Sequence, residues 1–261
     1  MLPELIDSHC HLDVADFAED REAVLSRARD AGVRHIVVPA IERETWGELQ
    51  NICRDSPMLH PAYGLHPMFL DRHRDDDLSA LDARLMAGDA IAIGECGLDH
   101  FVEEIADPAG RDRQQQLFEA QLELARKHDL PVIIHARRAV EDVIHSLRRL
   151  NGLRGVVHSY PGSLEQAKQL QKLDFLLGFG GPVTYPRARR LREMVATIPA
   201  DQLLLESDAP DQPDVDWRGQ RNEPARLTTV LAVIAKLRDC EATELAEQTT
   251  ANARRLFNLP D

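Results

Sequence analysis

The feature that most constrains the fold is a regular alternation of short apolar runs with longer amphipathic stretches along the whole chain. The short runs predict strands, because they are rich in β-branched and aliphatic residues, and the longer stretches carry apolar residues at helical spacing. Strands that alternate with helices are typical of a parallel sheet with helical crossovers. Eight such strands favour closure into a (β/α)8 (TIM) barrel of the α/β class, which needs roughly 250 residues.

The pattern predicts eight strands, at residues 5–9, 35–40, 59–64, 90–95, 131–135, 155–158, 175–180 and 203–207. Helices are predicted at residues 20–31, 43–55, 75–87, 111–128, 138–150, 163–172, 186–198, 224–239 and 242–257. Residues 208–221 are expected to form a long loop after the last strand. No linker or shift in composition divides the sequence, so a single domain over residues 1–261 is expected.

Composition narrows the classes of function. The net charge of −13 argues against a broad basic surface that coats nucleic acid, although bound cations can supply positive charge at one point. Four cysteines without a C-x-x-C spacing indicate reduced thiols, and Cys10 and Cys96 are expected to be buried. The sequence shows neither a signal peptide nor an apolar run of about 20 residues. A soluble, cytoplasmic protein without membrane contact is expected.

Polar residues follow the predicted strands at the end where barrel enzymes place their active sites. Two of them, His9 and His11, are separated by a single residue, so their imidazoles could bind one divalent ion together. Asp7 is then a candidate to orient these ligands through hydrogen bonds. A single histidine at a strand end is more often structural, but a whole set points to a metal or catalytic site. The set comprises His9, His11, His66, Glu95, His135, Arg137, His158, Glu206 and Asp208.

Seven segments in order along residues 7–224 resemble the TatD family, which are metal-dependent deoxyribonucleases of the amidohydrolase superfamily. The segments are DSHCHLD at 7–13, GLHP at 64–67, GECGLD at 94–99, IHAR at 134–137, HSY at 158–160, LESDAP at 205–210 and RNEP at 221–224.

This resemblance implies a (β/α)8 barrel with two divalent ions. It implies that His9, His11 and Asp208 bind one ion, that His135 and His158 bind the other, and that Glu95 bridges the two. Several imidazole ligands favour zinc or manganese over magnesium, which prefers oxygen ligands. Magnesium could still act in a site with many carboxylates, so the identity of the metal stays open.

Two ions about 4 Å apart can hold a water and lower its pKa, which suits in-line displacement at phosphorus. Asp208 is the best candidate for the general base. His66 could contact a phosphate, protonate the leaving oxygen or serve the turn that contains it. Arg137 could pair with a phosphate or with a neighbouring carboxylate. Glu206 is expected to orient ligands from behind rather than to bind metal directly.

Three features are left outside this assignment. His100 is an extra histidine of unknown role in a segment where the family usually has an aromatic pair. Arg187–Arg192 contains four arginines, which fit a solvated helix face somewhat better than a nucleic-acid contact. The glycines in residues 178–181 lack a phosphate-loop pattern and are expected to permit close backbone approach.

The leading hypothesis is a hydrolase that acts on ester bonds, a deoxyribonuclease that trims DNA ends or short oligonucleotides, with no obligate protein partner evident. Its first rival is an amide, ester or lactone hydrolase, which would often use a carboxylated lysine as the bridging ligand. No lysine occurs at the predicted strand ends, where Glu95 stands instead. A non-catalytic metal or nucleic-acid binding barrel would predict a missing ligand or base, and none is missing.

Overall fold

The computed structural model describes residues 3–105 and 107–260. Its strands are β1 (Leu5–Asp7), β2 (Val33–Pro39), β3 (Leu59–Tyr63), β4 (Ala92–Asp99), β5 (Val132–Arg137), β6 (Gly155–Val157), β7 (Phe175–Phe179) and β8 (Leu203–Leu205). Its helices are α1 (Arg21–Asp30), α2 (Trp46–Asp55), α3 (Asp77–Leu85), α4 (Pro108–His128), α5 (Val140–Leu150), α6 (Leu164–Gln171), α7 (Arg189–Thr197), α8 (Leu227–Arg238) and α9 (Ala242–Phe257).

The eight strands form one sheet in which each strand follows its predecessor in the sequence, from β1 to β8. Neighbouring strands pair in parallel, as in β1–β2, β4–β5 and β7–β8. The sheet also returns on itself, because the Ser8 amide donates to the Leu205 carbonyl at 3.0 Å and the Asp208 amide to the His9 carbonyl at 2.9 Å. The predicted (β/α)8 topology is therefore confirmed.

The chain groups into two compact units. Residues 3–38, 56–60 and 176–260 form the first, which holds β1, β8, most of β2 and β7, and helices α1, α7, α8 and α9. Residues 39–55, 61–105 and 107–175 form the second, with β4 to β6 and helices α2 to α6. The aliphatic side chains of the strands are buried in the folded chain. The single domain over residues 1–261 stays a prediction. Across the described residues, no helix has the length and hydropathy of a membrane span.

The strand boundaries differ from the predicted ones in a way that matters for the polar residues. β4 continues to Asp99 and β5 to Arg137, because Gly97 pairs with His135 and Asp99 with Arg137 beyond the apolar core of each strand. By contrast, β1 ends at Asp7 and β8 at Leu205. The polar residues of β4 and β5 thus lie within strands, although the β4–β5 register shifts between Ile93 and Cys96, around Glu95. Those after β1 and β8 lie outside the strands.

Helix α4 fixes two backbone segments through buried glutamines. Gln121 accepts from the Leu65 amide at 2.8 Å and donates to the Leu65 carbonyl at 3.1 Å. Gln114, two helical turns earlier, makes the same pair of bonds with Asp99, at 2.8 and 3.1 Å. Both glutamines are fully buried, so each amide satisfies a donor and an acceptor that water cannot reach.

We expect Gln121→Ala to lower the free energy of unfolding by about 3 kcal/mol, because it leaves the buried amide and carbonyl of Leu65 without their partners. Urea denaturation of the metal-stripped protein, followed by circular dichroism, measures this. Gln116→Ala is the matched control, since Gln116 lies on the same helix but is exposed. Equal stability of the two variants would contradict the assigned role of Gln121.

A pair of half-buried histidines joins β2 to β3. His35 Nδ1 lies 2.8 Å from His60 Nε2, so one ring donates and the other accepts. Burial lowers the pKa of His60 to about 4, with a further contribution from His35. Burial also lowers the pKa of His35. The pair is therefore neutral in the folded protein at pH values where a free histidine takes up a proton.

This shift predicts a loss of stability in acid. Below the ordinary histidine pKa of 6.5 the unfolded chain binds a proton that folded His60 refuses until about pH 4. The contribution of His60 to the free energy of unfolding should therefore fall as the pH drops through that window, and it should be constant above the window. His60→Gln should flatten the dependence, which denaturation at pH 7.5, 6 and 5 would show. An unchanged slope in the variant would refute the assignment.

Candidate metal centre

The first cluster of candidate ligands, the His9 cluster, consists of His9, His11 and Asp208. The two Nε2 atoms are 3.2 Å apart, and Asp208 Oδ1 lies 3.6 Å from His9 Nε2 and 3.8 Å from His11 Nε2. His9 is fully buried, whereas the side chains of His11 and Asp208 are 14% and 11% exposed. The three donor atoms therefore converge in a space that is open to solvent on one side.

These separations fit a single divalent ion. Two ligands at about 2.0–2.1 Å from a tetrahedral zinc ion lie about 3.3 Å apart. The measured distances of 3.2, 3.6 and 3.8 Å span this value, and all three atoms belong to a set whose members lie within 4.8 Å of one another. Two neutral imidazoles and a carboxylate are ligands that zinc and manganese accept.

The carboxylate of Asp7 binds the backbone on both sides of the His9 cluster. The buried Asp7 Oδ1 accepts the amides of His9, at 3.3 Å, and Ser207, at 2.9 Å, so it ties the segment after β1 to the segment after β8. Asp7 thus binds the main chain of His9, and its role as an orienter of the metal ligands stays a prediction. Burial raises the pKa of Asp7 to about 7, although Ser207 opposes that effect.

Asp208 is held in an unusual conformation. Its φ of 54° lies in the left-handed region, which costs a residue other than glycine about 1–3 kcal/mol and is found most often at functional sites. Its amide donates to the His9 carbonyl, and the Gln212 side-chain amide donates to its Oδ2. Oδ1 is the oxygen that faces the two imidazoles.

The second cluster, the Glu95 cluster, surrounds one buried carboxylate oxygen with three imidazoles. Glu95 Oε1 lies 2.8 Å from His158 Nε2, 2.9 Å from His66 Nε2 and 3.1 Å from His135 Nδ1. His158 Nε2 and His135 Nδ1 are 3.4 Å apart. This cluster brings together four of the residues that the sequence predicts, and all four belong to β3–β6 or to the turns that follow these strands.

The hydrogen bonds of His66 set its tautomer. Its Nδ1 accepts the Met68 amide at 3.1 Å, so the ring proton of the neutral imidazole resides on Nε2. Nε2 then donates to Glu95 Oε1 at 2.9 Å. A nitrogen that carries a proton has no lone pair for a metal, so His66 orients Glu95. The expectation that His66 is not required as a ligand stays a prediction.

His135 has the opposite arrangement, because a second carboxylate occupies its Nε2. Asp99 Oδ2 lies 2.9 Å from that nitrogen, while Asp99 Oδ1 accepts the amides of Phe101 and Val102 at 2.8 and 3.1 Å. With the proton on Nε2, the lone pair of Nδ1 faces Glu95 Oε1. Two acceptors that face each other repel unless a cation or a proton lies between them.

The pKa values reflect this contact. Burial, the largest effect, lowers the pKa of His135, but the hydrogen bonds to Asp99 and Glu95 together raise it above its ordinary value. For Asp99, burial is again the largest single effect, and it raises the pKa of the carboxyl. The hydrogen bonds to His135 and to the Phe101 amide together outweigh burial, so the pKa of Asp99 lies below its ordinary value. A raised pKa means that the His135 ring takes up a second proton, on Nδ1, more readily than a free histidine does. A divalent ion bound at Nδ1 would take the place of this proton, so the donor set of the Glu95 cluster also fits a metal.

Glycines allow close approach of the chain at two places near the candidate ligands. A Cβ at Gly97, whose φ is 141°, would lie 2.0 Å from the His135 carbonyl oxygen, so only glycine lets β4 approach β5 here. A Cβ at Gly178 would lie 1.9 Å from Glu206 Oε2, so that glycine makes room for the buried Glu206 carboxylate. Gly180 and Gly181 approach the backbone of residues 206 and 212 closely, which confirms the expectation for this segment. The predicted orienting role of Glu206 stays a prediction.

The remaining predicted residues lie outside the two clusters. Arg137 stacks on the ring of Phe101, and among the described residues it has no carboxylate within 4 Å, so the expected alternative of a salt bridge is not found. His100 faces Asp142 of α5 at 3.5 Å. Cys10 and Cys96 are buried as predicted. In the segment Arg187–Arg192, three arginines are exposed and Arg192 donates to the Val183 carbonyl.

Sequence reasoning placed Asp99 at the strand end without giving it a role, and it missed Gln212. Asp99 falls two and four residues after Gly97 and Glu95, so strand alternation could have shown that it shares their face. Gln212 lies in the long loop predicted at residues 208–221, and no local sequence pattern links it to Asp208.

Comparison with known proteins adds the family. The family model described as TatD related DNase matches residues 6–258. The chain is 42% identical to the metal-dependent hydrolase YjjV of Escherichia coli strain K12, with all of both chains covered. It is 35% identical to a protein of Erwinia tasmaniensis named 3'-5' ssDNA/RNA exonuclease TatD, over 98% of this chain and 100% of the relative. The crystal structure of E. coli YjjV matches with a TM-score of 0.94 and 41% identity over the whole of both chains.

We expect Asp99→Asn to weaken metal binding by about 10–100-fold. Oδ1 must stay an oxygen to accept two backbone amides, so the new NH₂ group faces His135 Nε2 and forces the ring proton onto Nδ1. Competition with a chromophoric chelator measures the affinity for zinc and manganese. Asp142→Asn, which alters an exposed carboxylate nearby, is the control. Wild-type affinity in Asp99→Asn would show that His135 does not bind through Nδ1.

Proposed function

Since the chain belongs to the TatD-related DNase family, we propose that it is a metal-dependent phosphodiesterase that trims the ends of DNA or of short oligonucleotides. The observation that carries the proposal is the pair of clusters, each with donor atoms at metal-binding separations. A relative named 3'-5' ssDNA/RNA exonuclease supports a nucleic-acid substrate and makes RNA an arm of the test.

We propose that His9, His11 and Asp208 would hold one divalent ion and that His135 and His158 would hold a second, with Glu95 available as a ligand to both. Barrel enzymes carry their active-site residues toward the carboxyl ends of the strands. His9, His11, His158 and Asp208 follow β1, β6 and β8, whereas Glu95 and His135 lie within β4 and β5. Zinc and manganese suit the imidazole-rich donor set better than magnesium does. Two bound ions would lower the pKa of a water and stabilise the charge that develops on the phosphate oxygens.

In this proposal Asp208 accepts the proton of the attacking water. Its Oδ1 faces the His9 cluster, and the Gln212 amide fixes its Oδ2, so the carboxylate is held in one orientation. His66 keeps Glu95 oriented through its Nε2–H and is the candidate donor to the leaving oxygen. Arg137 is exposed and offers its N–H groups to a phosphate oxygen.

We place the protein in the cytoplasm. All four cysteines are free thiols, and three of them, Cys10, Cys53 and Cys96, are buried. Free thiols are typical of compartments that keep cysteine reduced.

We expect His135→Ala and Asp208→Ala each to reduce hydrolysis by about 10³-fold or more while the fold is retained. The first removes a ligand and the second removes both a ligand and the base. The assay follows 3′-labelled and 5′-labelled single-stranded oligodeoxynucleotides, and an oligoribonucleotide, with metal-stripped enzyme and added magnesium, manganese or zinc.

Asp211→Ala, an exposed aspartate in the same loop as Asp208, is the matched control and should retain wild-type activity. Metal-dependent laddering that is lost in the two variants and kept in the control would support the proposal and reveal the polarity. Full activity in either variant, after contaminating nucleases are removed, would refute the mechanism. A protein that binds two ions and cleaves no oligonucleotide would favour an ester or amide hydrolase instead.

A further inference from the structure

An exposed aromatic ring with two stacked guanidinium groups lies next to the Glu95 cluster. Phe101, which follows β4, is 42% exposed. The Arg137 guanidinium carbon lies 3.6 Å from the centre of its ring and that of Arg138 lies 4.5 Å from it. We call these three residues the Phe101 patch. Both arginines are exposed, so their stacking does not bury them.

The positive charge of the patch is not neutralised. Among residues 3–105 and 107–260, neither guanidinium has a carboxylate oxygen within 4 Å. Many other arginines of this acidic chain do pair, as Arg27 does with Glu223 at 2.7 Å and Arg226 with Asp214 at 2.7 Å. Asp142 is close to the two arginines in the sequence, but its carboxylate faces His100, at 3.5 Å, and not a guanidinium. Two adjacent unpaired arginines in a chain of net charge −13 mark a place for an anion.

The backbone of the patch is held in a disfavoured conformation. Arg138 has a φ of 56°, in the left-handed region where a long side chain is rarely found. Such outliers persist where the surrounding structure enforces them, and they concentrate at ligand sites. Here the His100 amide donates to the Arg137 carbonyl at 2.9 Å, which fastens the loop after β4 to the end of β5.

One carboxylate couples the patch to the Glu95 cluster. Asp99 Oδ1 accepts the Phe101 amide at 2.8 Å, and Oδ2 of the same group bonds His135 Nε2 at 2.9 Å. Arg137 is also only two residues from His135 on β5. A ligand on the patch would therefore lie at a fixed position beside a phosphate held at the cluster.

We propose that the Phe101 patch is a second phosphate subsite, which binds the phosphate that flanks the cleaved bond in single-stranded nucleic acid; this rests on the proposed function. A guanidinium that stacks on a ring keeps its N–H edges free, and these match two phosphate oxygens. The exposed part of the ring can contact the neighbouring base, as aromatic side chains do in single-strand binding sites. The enzyme should therefore prefer an oligonucleotide to a diester that has a single phosphate.

Binding to metal-stripped protein tests the subsite without catalysis. The probe is a fluorescein-labelled single-stranded tetranucleotide, followed by anisotropy from 50 to 300 mM KCl. Arg138→Ala and the double variant Arg137→Ala/Arg138→Ala should weaken binding by about tenfold or more. Each lost phosphate contact should also reduce the slope of log affinity against log salt by about 0.7. Phe101→Leu should weaken binding, and Phe101→Tyr should restore it.

Arg148→Ala is the matched control, because Arg148 is exposed on α5, contacts Gln169 and carries the same charge. Equal affinity and equal salt slope in Arg138→Ala and Arg148→Ala would overturn the subsite, as would a wild-type protein that does not bind the probe. With metal restored, the ratio of kcat/KM for a trinucleotide to that for bis(p-nitrophenyl) phosphate should fall about tenfold in Arg138→Ala. A wild type that binds the probe but hydrolyses neither substrate would defeat the proposed function and leave the subsite standing.

Discussion

The hydrogen bond between Asp99 and His135 is the contact on which the Glu95 cluster depends. It places the ring proton on Nε2 and so turns Nδ1 toward Glu95 with its lone pair exposed. Asp99 can do this because several hydrogen bonds fix its position. Gln114 bonds both main-chain groups of Asp99, and the amides of Phe101 and Val102 donate to Oδ1, the oxygen that does not contact His135. Because water is excluded from this interior, each polar group must find its partner in the protein.

The two clusters are built on different physical principles. In the His9 cluster, main-chain bonds between the segments after β1 and β8 bring the ligands together, and Asp7 ties those segments to each other. In the Glu95 cluster, side chains orient other side chains, through His66 on one flank and Asp99 on the other. Substitutions that shift the backbone should therefore disturb the first cluster more, and substitutions that alter tautomers should disturb the second.

The sequence allowed the barrel topology to be predicted, because strand and helix periodicity are local signals, and residues such as His9 and Glu95 stood out as polar side chains near strand ends. That these residues bind metal stays a prediction. The sequence did not reveal the contacts that set protonation and orientation. Gln114 reaches Asp99 from 15 positions away, and Gln121 reaches Leu65 from 56 positions away. The stacking of Arg138 on Phe101 likewise depends on a left-handed turn that no sequence pattern announces.

The number of residues between the two glutamines on α4 determines whether the helix can hold both Leu65 and Asp99. Gln114 and Gln121 are seven residues apart, so they point to the same side of the helix after nearly two turns and lie about 10 Å apart along its axis. One residue inserted between them would rotate Gln121 by about 100° away from Leu65 while leaving the helix itself intact. Helix α4 thus sets the distance between the two backbone segments that it holds, and an insertion or deletion in this interval would break one of the two pairs of hydrogen bonds even if every exposed side chain were kept.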